Sequence, residues 1–136
     1  MSCQRAGCMA ESIIRQKSYA FALQIVKLCF QLRGGKHFEI SSQLLRSGTS
    51  TGANVEEALA GQSRKDFFAK MSIASKEARE SNYWLRLLKD SGISDTKEIR
   101  DLLEESDVLV KILTSIVKTG SEAQRATKNS KLRTQN

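Results

Sequence analysis

The side chains that most often perform catalysis or bind metals are sparse in this sequence. His37 is its single histidine, and it lies in a predicted loop with no nucleophile beside it. A di-metal site in a helical bundle takes a Glu-x-x-His motif from each of two helices, which one histidine cannot supply. The three cysteines, Cys3, Cys8 and Cys29, are an odd number and do not indicate a disulfide framework. We therefore predict no metal site and no cofactor.

Carboxylates at helical spacing are the remaining candidates for acid–base chemistry. Glu77 with Glu80, and Asp101 with Glu104 or Glu105, stand three or four positions apart and would share a helix face. No constellation of acid, base and nucleophile stands out around these pairs. The sequence accordingly predicts a protein that is not an enzyme.

A small-residue segment at 47–54 superficially resembles a phosphate-binding loop. The Walker pattern requires four residues between its glycines and a lysine after the second. Here three residues separate Gly48 from Gly52, and Ala53 follows. Ser47 and Thr51 share the same spacing of four, so small residues line one helix face. We interpret the segment as a site of close helix packing rather than of ligand binding.

The clearest candidate for chemistry is a separation of charge within the predicted third helix. At 100° per residue, six of its seven basic residues fall in one arc of about 140°, with Phe68 and Tyr83 inside the arc and Asp90 interrupting it. The seventh, Lys70, lies beside the acidic residues. A basic strip with interleaved aromatics can follow a phosphate backbone, although a solvated face would carry the same charges. The nucleic-acid-binding candidates are Arg64, Lys65, Lys76, Arg79, Arg86 and Lys89.

The composition agrees with a basic, helical protein of one domain. The net charge is +7, from 22 basic and 15 acidic residues, which favours polyanionic partners such as RNA or DNA. No proline interrupts the chain, and no apolar run is long enough to span a membrane. Without a recognisable signal peptide, the cytoplasm is the expected location. Residues 121–136 carry four basic and one acidic residue without apolar periodicity, which predicts a disordered basic tail.

Helical periodicity and glycine punctuation divide the chain into four helices. The predicted spans are 12–32, about 40–60, a third from the cap Ser63 to Gly92, and a fourth from a cap at Ser94 or Asp95 to Gly120. Short connections place neighbouring helices antiparallel. The fold class is therefore all-α, an antiparallel up-down-up-down four-helix bundle over 12–120, with a loose N-terminus at 1–11.

Two of these helices are apolar on more than one face. Tyr19 and Leu23 belong to a second stripe on the first helix, and Ile73 and Trp84 lie away from the main stripe of the third. A monomeric bundle helix needs one apolar face, although a wide core could account for a second. We expect a homo-oligomer with these four residues near subunit contacts.

A pattern centred on residues 43–88 resembles a known family, with an upstream block at Ser18-Tyr19 and 25–28. The matching residues are Arg46, Ser50, Ala53-Asn54-Val55, Glu57-Ala58, Ser63, Asp66-Phe67, Ala74, Glu77-Ala78, Glu80, Tyr83-Trp84-Leu85 and Leu87-Leu88. The family that these residues resemble is the bacterial four-helix-bundle family named after the protein encoded in intervening sequences of 23S ribosomal RNA, and the resemblance covers roughly 15–118.

The resemblance implies a fold more firmly than a function. It implies a ring-forming homo-oligomer, with a pentamer as the first choice. It also implies one of two settings: an element of ribosomal RNA, or an accessory role beside the reverse transcriptase of a diversity-generating retroelement. The competing hypothesis is a protein-interaction scaffold with no nucleic-acid role.

Overall fold

Four α-helices make up the part of the chain that the structure describes. The structure is a computed structural model that describes the backbone of residues 5–134 and the side chains of residues 9–134. The helices are α1 (Arg5–Gly34), α2 (Phe38–Ala60), α3 (Arg64–Asp90) and α4 (Lys97–Thr134), and no strand occurs within that range. The predicted all-α fold is confirmed.

The contacts between helices define an antiparallel bundle. Each helix packs against the next one along the chain, and α1 packs against α4, which closes the ring of four. Lys70 pairs with Glu57 across α2 and α3, whereas Arg46 of α2 reaches Glu77 farther along α3. Because rising numbers on one helix meet falling numbers on its neighbour, the helices alternate in direction. Helices α1 and α3 therefore occupy opposite corners.

The core contains the apolar residues that the periodicity selects. Phe21, Leu85 and Leu113 are completely buried, and each comes from a different helix. Burying one such side chain contributes roughly 1.5–3 kcal/mol relative to leaving it exposed. The remaining buried apolar residues are Ile14, Ile25, Leu28, Cys29, Leu32, Leu44, Val55, Ala58, Met71, Ala74, Ala78, Leu88, Ile99, Leu102 and Leu109.

Two small residues let α1 and α2 approach closely. A Cβ added to Gly48 would lie 2.7 Å from the Ile25 side chain, and one added to Gly52 would lie 3.2 Å from the carbonyl oxygen of Ser18. Neither position therefore has room for a larger residue without movement of α1. The structure supports the interpretation of this segment as close packing.

The predicted N-terminal cap of α3 is present in the structure, whereas α4 has a different cap from the one predicted. Ser63 caps α3, and its hydroxyl accepts a hydrogen bond from the Asp66 amide at 3.0 Å. The cap of α4 is Thr96 rather than Ser94 or Asp95, because the Thr96 hydroxyl accepts from the Ile99 amide at 3.3 Å. The side chain of Asp95 instead pairs with Arg100.

Helix α4 does not end at Gly120, and the predicted disordered tail is wrong for the described residues. The helix continues to Thr134, so its last fourteen residues carry the basic side chains in ordered positions. Glycine inside a helix costs about 1 kcal/mol relative to alanine, which is why it was expected to stop α4. Here Gly120 is buried beneath the ring of Phe68, and a Cβ would come within 2.5 Å of that ring. Packing against α3 offsets the low helix propensity.

Helix α1 also begins earlier than expected. Its first residue is Arg5, within the segment 1–11 that was predicted to be loose. Cys3 belongs to residues 1–4, which lie outside the described range.

Candidate nucleic-acid interface

The faces of α3 are assigned by its contacts with its two neighbours. Glu77 and Glu80 bond to α2 through Arg46, whereas Arg79 and Asn82 bond to α4. The acidic and basic residues of α3 therefore point in different directions, as the 100° spacing predicted. The basic arc faces solvent and the α4 side of the bundle.

Among residues 9–134, none of the six predicted cations has a carboxylate partner, whereas five other cations do. Lys70 lies 2.8 Å from Glu57, and Arg15, Arg46, Lys97 and Arg100 are also paired. Within the described residues, no ion pair includes any of the six. Five are exposed and Lys89 is half-buried. The exposed five are Arg64, Lys65, Lys76, Arg79 and Arg86. Their charge is available to an anion from outside the chain.

Neutral hydrogen bonds hold two of these cations in place without cancelling their charge. Arg79 donates to the hydroxyl of Thr114 on α4 at 2.9 Å, and Arg86 donates to the Asn82 side-chain oxygen at 3.0 Å. The Arg86 guanidinium also lies 5.8 Å from the ring centroid of Tyr83. Such contacts restrict each side chain while leaving further N–H donors for phosphate oxygens.

A groove joins the start of α3 to the end of α4. Its volume is about 440 Å³, and its walls include Arg64, Lys65 and Phe68 of α3 with Lys128 and Lys131 of α4. The two helices thus bring together two predicted site residues and two cations that the sequence had assigned to a disordered tail. The run of helix-forming residues after Gly120, with no proline, is the signal that could have predicted this extension.

The candidate surface is long, and its two ends are distinct. Arg64 and Lys89 are 25 positions apart, which corresponds to about 37 Å along a helix. The groove forms only at the Arg64 end. At the other end Lys89 is followed by Asp90, so its positive charge is partly balanced there.

A polar cluster on α2 and α3 was not predicted as a unit. Arg46 bonds to Glu77 at 3.1 Å and also to Glu80, and the Trp84 ring nitrogen donates to Glu80 at 3.1 Å. These four residues are among those that carry the family resemblance. Arg46 therefore ties both carboxylates of the Glu77–Glu80 pair to α2.

The four predicted interface residues fall on two separate surfaces. Tyr19 is 65% exposed and Leu23 is 45% exposed, next to Phe30 at 71% on the same side of α1. Ile73 is 40% exposed on α3, at the opposite corner of the bundle. Trp84 is half-buried and packs against the core. No single patch contains all four.

Among the described residues, two ionisable groups have shifted pKa values. Burial raises the pKa of the Cys29 thiol to about 11, and Arg33 opposes that shift. Partial burial, reinforced by nearby Asp101, raises the pKa of Glu105, while Lys17 lowers it. Across the described residues, no group of His, Cys, Asp and Glu side chains is arranged to hold a metal ion. Within residues 5–134, no helix has the length and apolarity required to cross a membrane.

Comparison with known proteins identifies relatives of the bundle. The family model described as 23S rRNA-intervening sequence protein matches residues 10–115. A crystal structure at 1.70 Å of a protein of unknown function from the S23 ribosomal protein family of Bacteroides thetaiotaomicron VPI-5482 is 42% identical, with a TM-score of 0.75. The match covers 80% of this chain and 98% of that one. No curated protein matches the chain.

Proposed function

We propose that this chain, which belongs to the 23S rRNA-intervening sequence protein family, is a non-enzymatic, oligomeric bundle that binds RNA or DNA through the basic surface of α3 and α4. The surface consists of the six α3 cations together with Lys128 and Lys131 of the groove. Binding is to the phosphate backbone, with weak sequence preference. Two settings are proposed for this activity from the family resemblance: an element of ribosomal RNA, or an accessory role beside a reverse transcriptase.

The observation that carries the proposal is the concentration on one side of α3 of six cations that have no carboxylate partner among the described residues. On the α2 side of α3 the charges are balanced, because Lys70 lies 2.8 Å from Glu57 and Glu77 pairs with Arg46. Unpaired cations on one side of a helix instead raise the local positive potential. Each phosphate bound there releases condensed counterions, which supplies most of the affinity.

Oligomerisation would strengthen weak binding. The exposed apolar stripe at Tyr19, Leu23 and Phe30 and the separate patch at Ile73 lie on opposite corners of the bundle. Two different patches suit the head-to-tail contacts of a ring, in which one face meets a different face of the next copy. A ring, of which a pentamer is our first choice, would repeat the basic surface and raise the avidity for a long polyanion.

The proposal is tested by reversing charge on α3. Replacing Lys76, Arg79 and Arg86 together by glutamate should remove most binding in an anisotropy titration with labelled RNA or DNA at low salt. The matched control replaces Lys27, Arg33 and Lys36 by glutamate. These exposed cations lie in the C-terminal part of α1 and in the loop that follows it. Both variants change net charge equally, so a larger loss for the α3 variant assigns binding to that surface.

A protein-interaction scaffold is the alternative function, and the exposed apolar stripe of α1 favours it. If the wild-type protein binds neither RNA nor DNA at low salt, the nucleic-acid function is refuted and the scaffold replaces it. Equal losses for the two charge variants would contradict the location of the binding surface. Helicity and particle size must be unchanged in both variants for the comparison to apply.

A further inference from the structure

We propose that the groove between the start of α3 and the end of α4 holds an unpaired nucleotide, with its base against Phe68 and its phosphates against Lys65, Lys128 and Lys131. This inference rests on the proposed function and makes it more specific. It identifies single-stranded nucleic acid, or the single-stranded end of a longer molecule, as the preferred ligand.

The groove has the dimensions and the charge for such a ligand. Its volume of about 440 Å³ falls within the range of roughly 300–1,000 Å³ that is common for small-ligand sites. Four cations line it, two from each helix, and none of the lining residues is acidic. Phosphate groups are the anions that match an open, purely cationic rim. An apolar peptide side chain would make no ionic contact with these four cations.

The ring of Phe68 forms the apolar wall and is held in a fixed position. It is half-buried, and it meets Phe67 edge to face with ring centroids 5.1 Å apart at an interplanar angle of 83°. Gly120 lies directly against the ring, and a Cβ there would approach to 2.5 Å. Because residue 120 is glycine, the Phe68 ring packs directly on α4, between the cations of α3 and those of α4.

Aromatic rings beside cations are typical stacking platforms for unpaired bases. The Arg64 guanidinium lies 5.5 Å from the centroid of the Phe68 ring, and because Arg64 is exposed it can turn toward a phosphate or stack on the base. In a duplex the faces of each base are covered by its neighbours, so Phe68 would contact only an unpaired base. Gln124 and Thr127 also line the groove and offer hydrogen bonds to the base edge.

The test distinguishes the contribution of the base to affinity from that of the phosphates. The full-length protein is titrated with a labelled oligothymidylate of about 12 nucleotides, a length within the range of single-stranded binding sites, and with an abasic strand of equal length and charge. The wild-type protein should bind the oligothymidylate about 5- to 150-fold more tightly, which corresponds to the stacking of one base. Phe68→Leu should reduce that ratio to near one, while leaving affinity for the abasic strand unchanged.

Tyr83→Leu is the matched control, because Tyr83 is the other aromatic residue on the basic arc and lies outside the groove. It should preserve the preference for bases, and loss of the preference in this variant alone would overturn the location. Equal wild-type affinity for the two strands would overturn the inference while leaving phosphate binding intact. Absence of binding to both strands would refute the proposed function itself. The wild-type comparison decides the question even if Phe68→Leu fails to fold.

Discussion

Two lysines on α3 illustrate how a partner determines what a charged residue can do. Lys70 lies 2.8 Å from Glu57 of α2, whereas Lys76 has no carboxylate partner among the described residues. Helical spacing predicted this difference, because it placed Lys70 beside the acidic residues and Lys76 in the basic arc. The same spacing could not predict that Arg46 would bond to both Glu77 and Glu80, since that contact depends on a neighbouring helix.

Cys29 provides a prediction at the residue scale. Its thiol is buried, donates to the Ser41 carbonyl at 3.3 Å and has its pKa raised to about 11. Because the thiolate is the reactive form, Cys29 should react very slowly with a disulfide reagent at pH 8 in the folded protein. In a protein carrying Cys3→Ser and Cys8→Ser, the single remaining thiol should react rapidly only after denaturation. Rapid reaction in the folded state would contradict its burial.

The raised pKa of the Cys29 thiol also predicts how stability depends on pH. The folded state binds the Cys29 proton more tightly than the unfolded state, whose thiol pKa is about 8.5. The contribution of Cys29 to the free energy of unfolding is therefore present below pH 8 and is lost as pH rises toward 11. A Cys29→Ala protein should show a smaller fall in melting temperature over that interval, and an identical fall would contradict the shift.

At the scale of helices, α4 shows why local signals can misplace an end. Gly120 looks like a terminator in sequence, but its surroundings depend on Phe68, which is 52 positions away along the chain. A pattern confined to α4 contains no information about that contact. The other helix ends follow local chemistry more closely, as Ser63 does at the start of α3 and Gly92 does with a φ of 80° after its end.

The close approach of α1 and α2 is tested by enlarging a glycine. Gly52→Leu should lower the free energy of unfolding by ~1–3 kcal/mol, because the new side chain would meet the Ser18 backbone. The matched control is Gly34→Leu, at the end of α1, where an added Cβ meets nothing within 4 Å. Chemical denaturation of both variants gives the comparison. Equal stability of Gly52→Leu and the wild-type protein would refute the packing role.

For the whole molecule, the assembly state is the next prediction. Light scattering at micromolar concentration should report several chains per particle, because Tyr19, Leu23 and Phe30 form an exposed apolar stripe on α1. Replacing Tyr19 and Leu23 by glutamate should reduce the particle size, whereas Gln31→Glu, at an exposed polar position of α1, should not. A monodisperse wild-type monomer would contradict the prediction.

The bundle as a whole was predictable because its determinants are local and repetitive. Apolar spacing selected buried residues such as Phe21, Leu85 and Leu113, and short connections set the antiparallel order. The groove was not predictable in the same way, because it requires two helix ends to meet. Arg64 and Lys65 were identified from the charge pattern, whereas their placement beside Lys128 follows only from the continued α4.

The salt dependence of binding tests the central claim most directly. Affinity of the wild-type protein for a labelled DNA duplex should fall linearly with salt on a logarithmic scale, with a slope of about −0.9 per phosphate contacted. Glutamate at Lys76, Arg79 and Arg86 should make the slope shallower by roughly 2.7, the value for three lost contacts. A wild-type protein that shows no binding at low salt, or an affinity independent of salt, would contradict a phosphate-binding surface on α3 and α4.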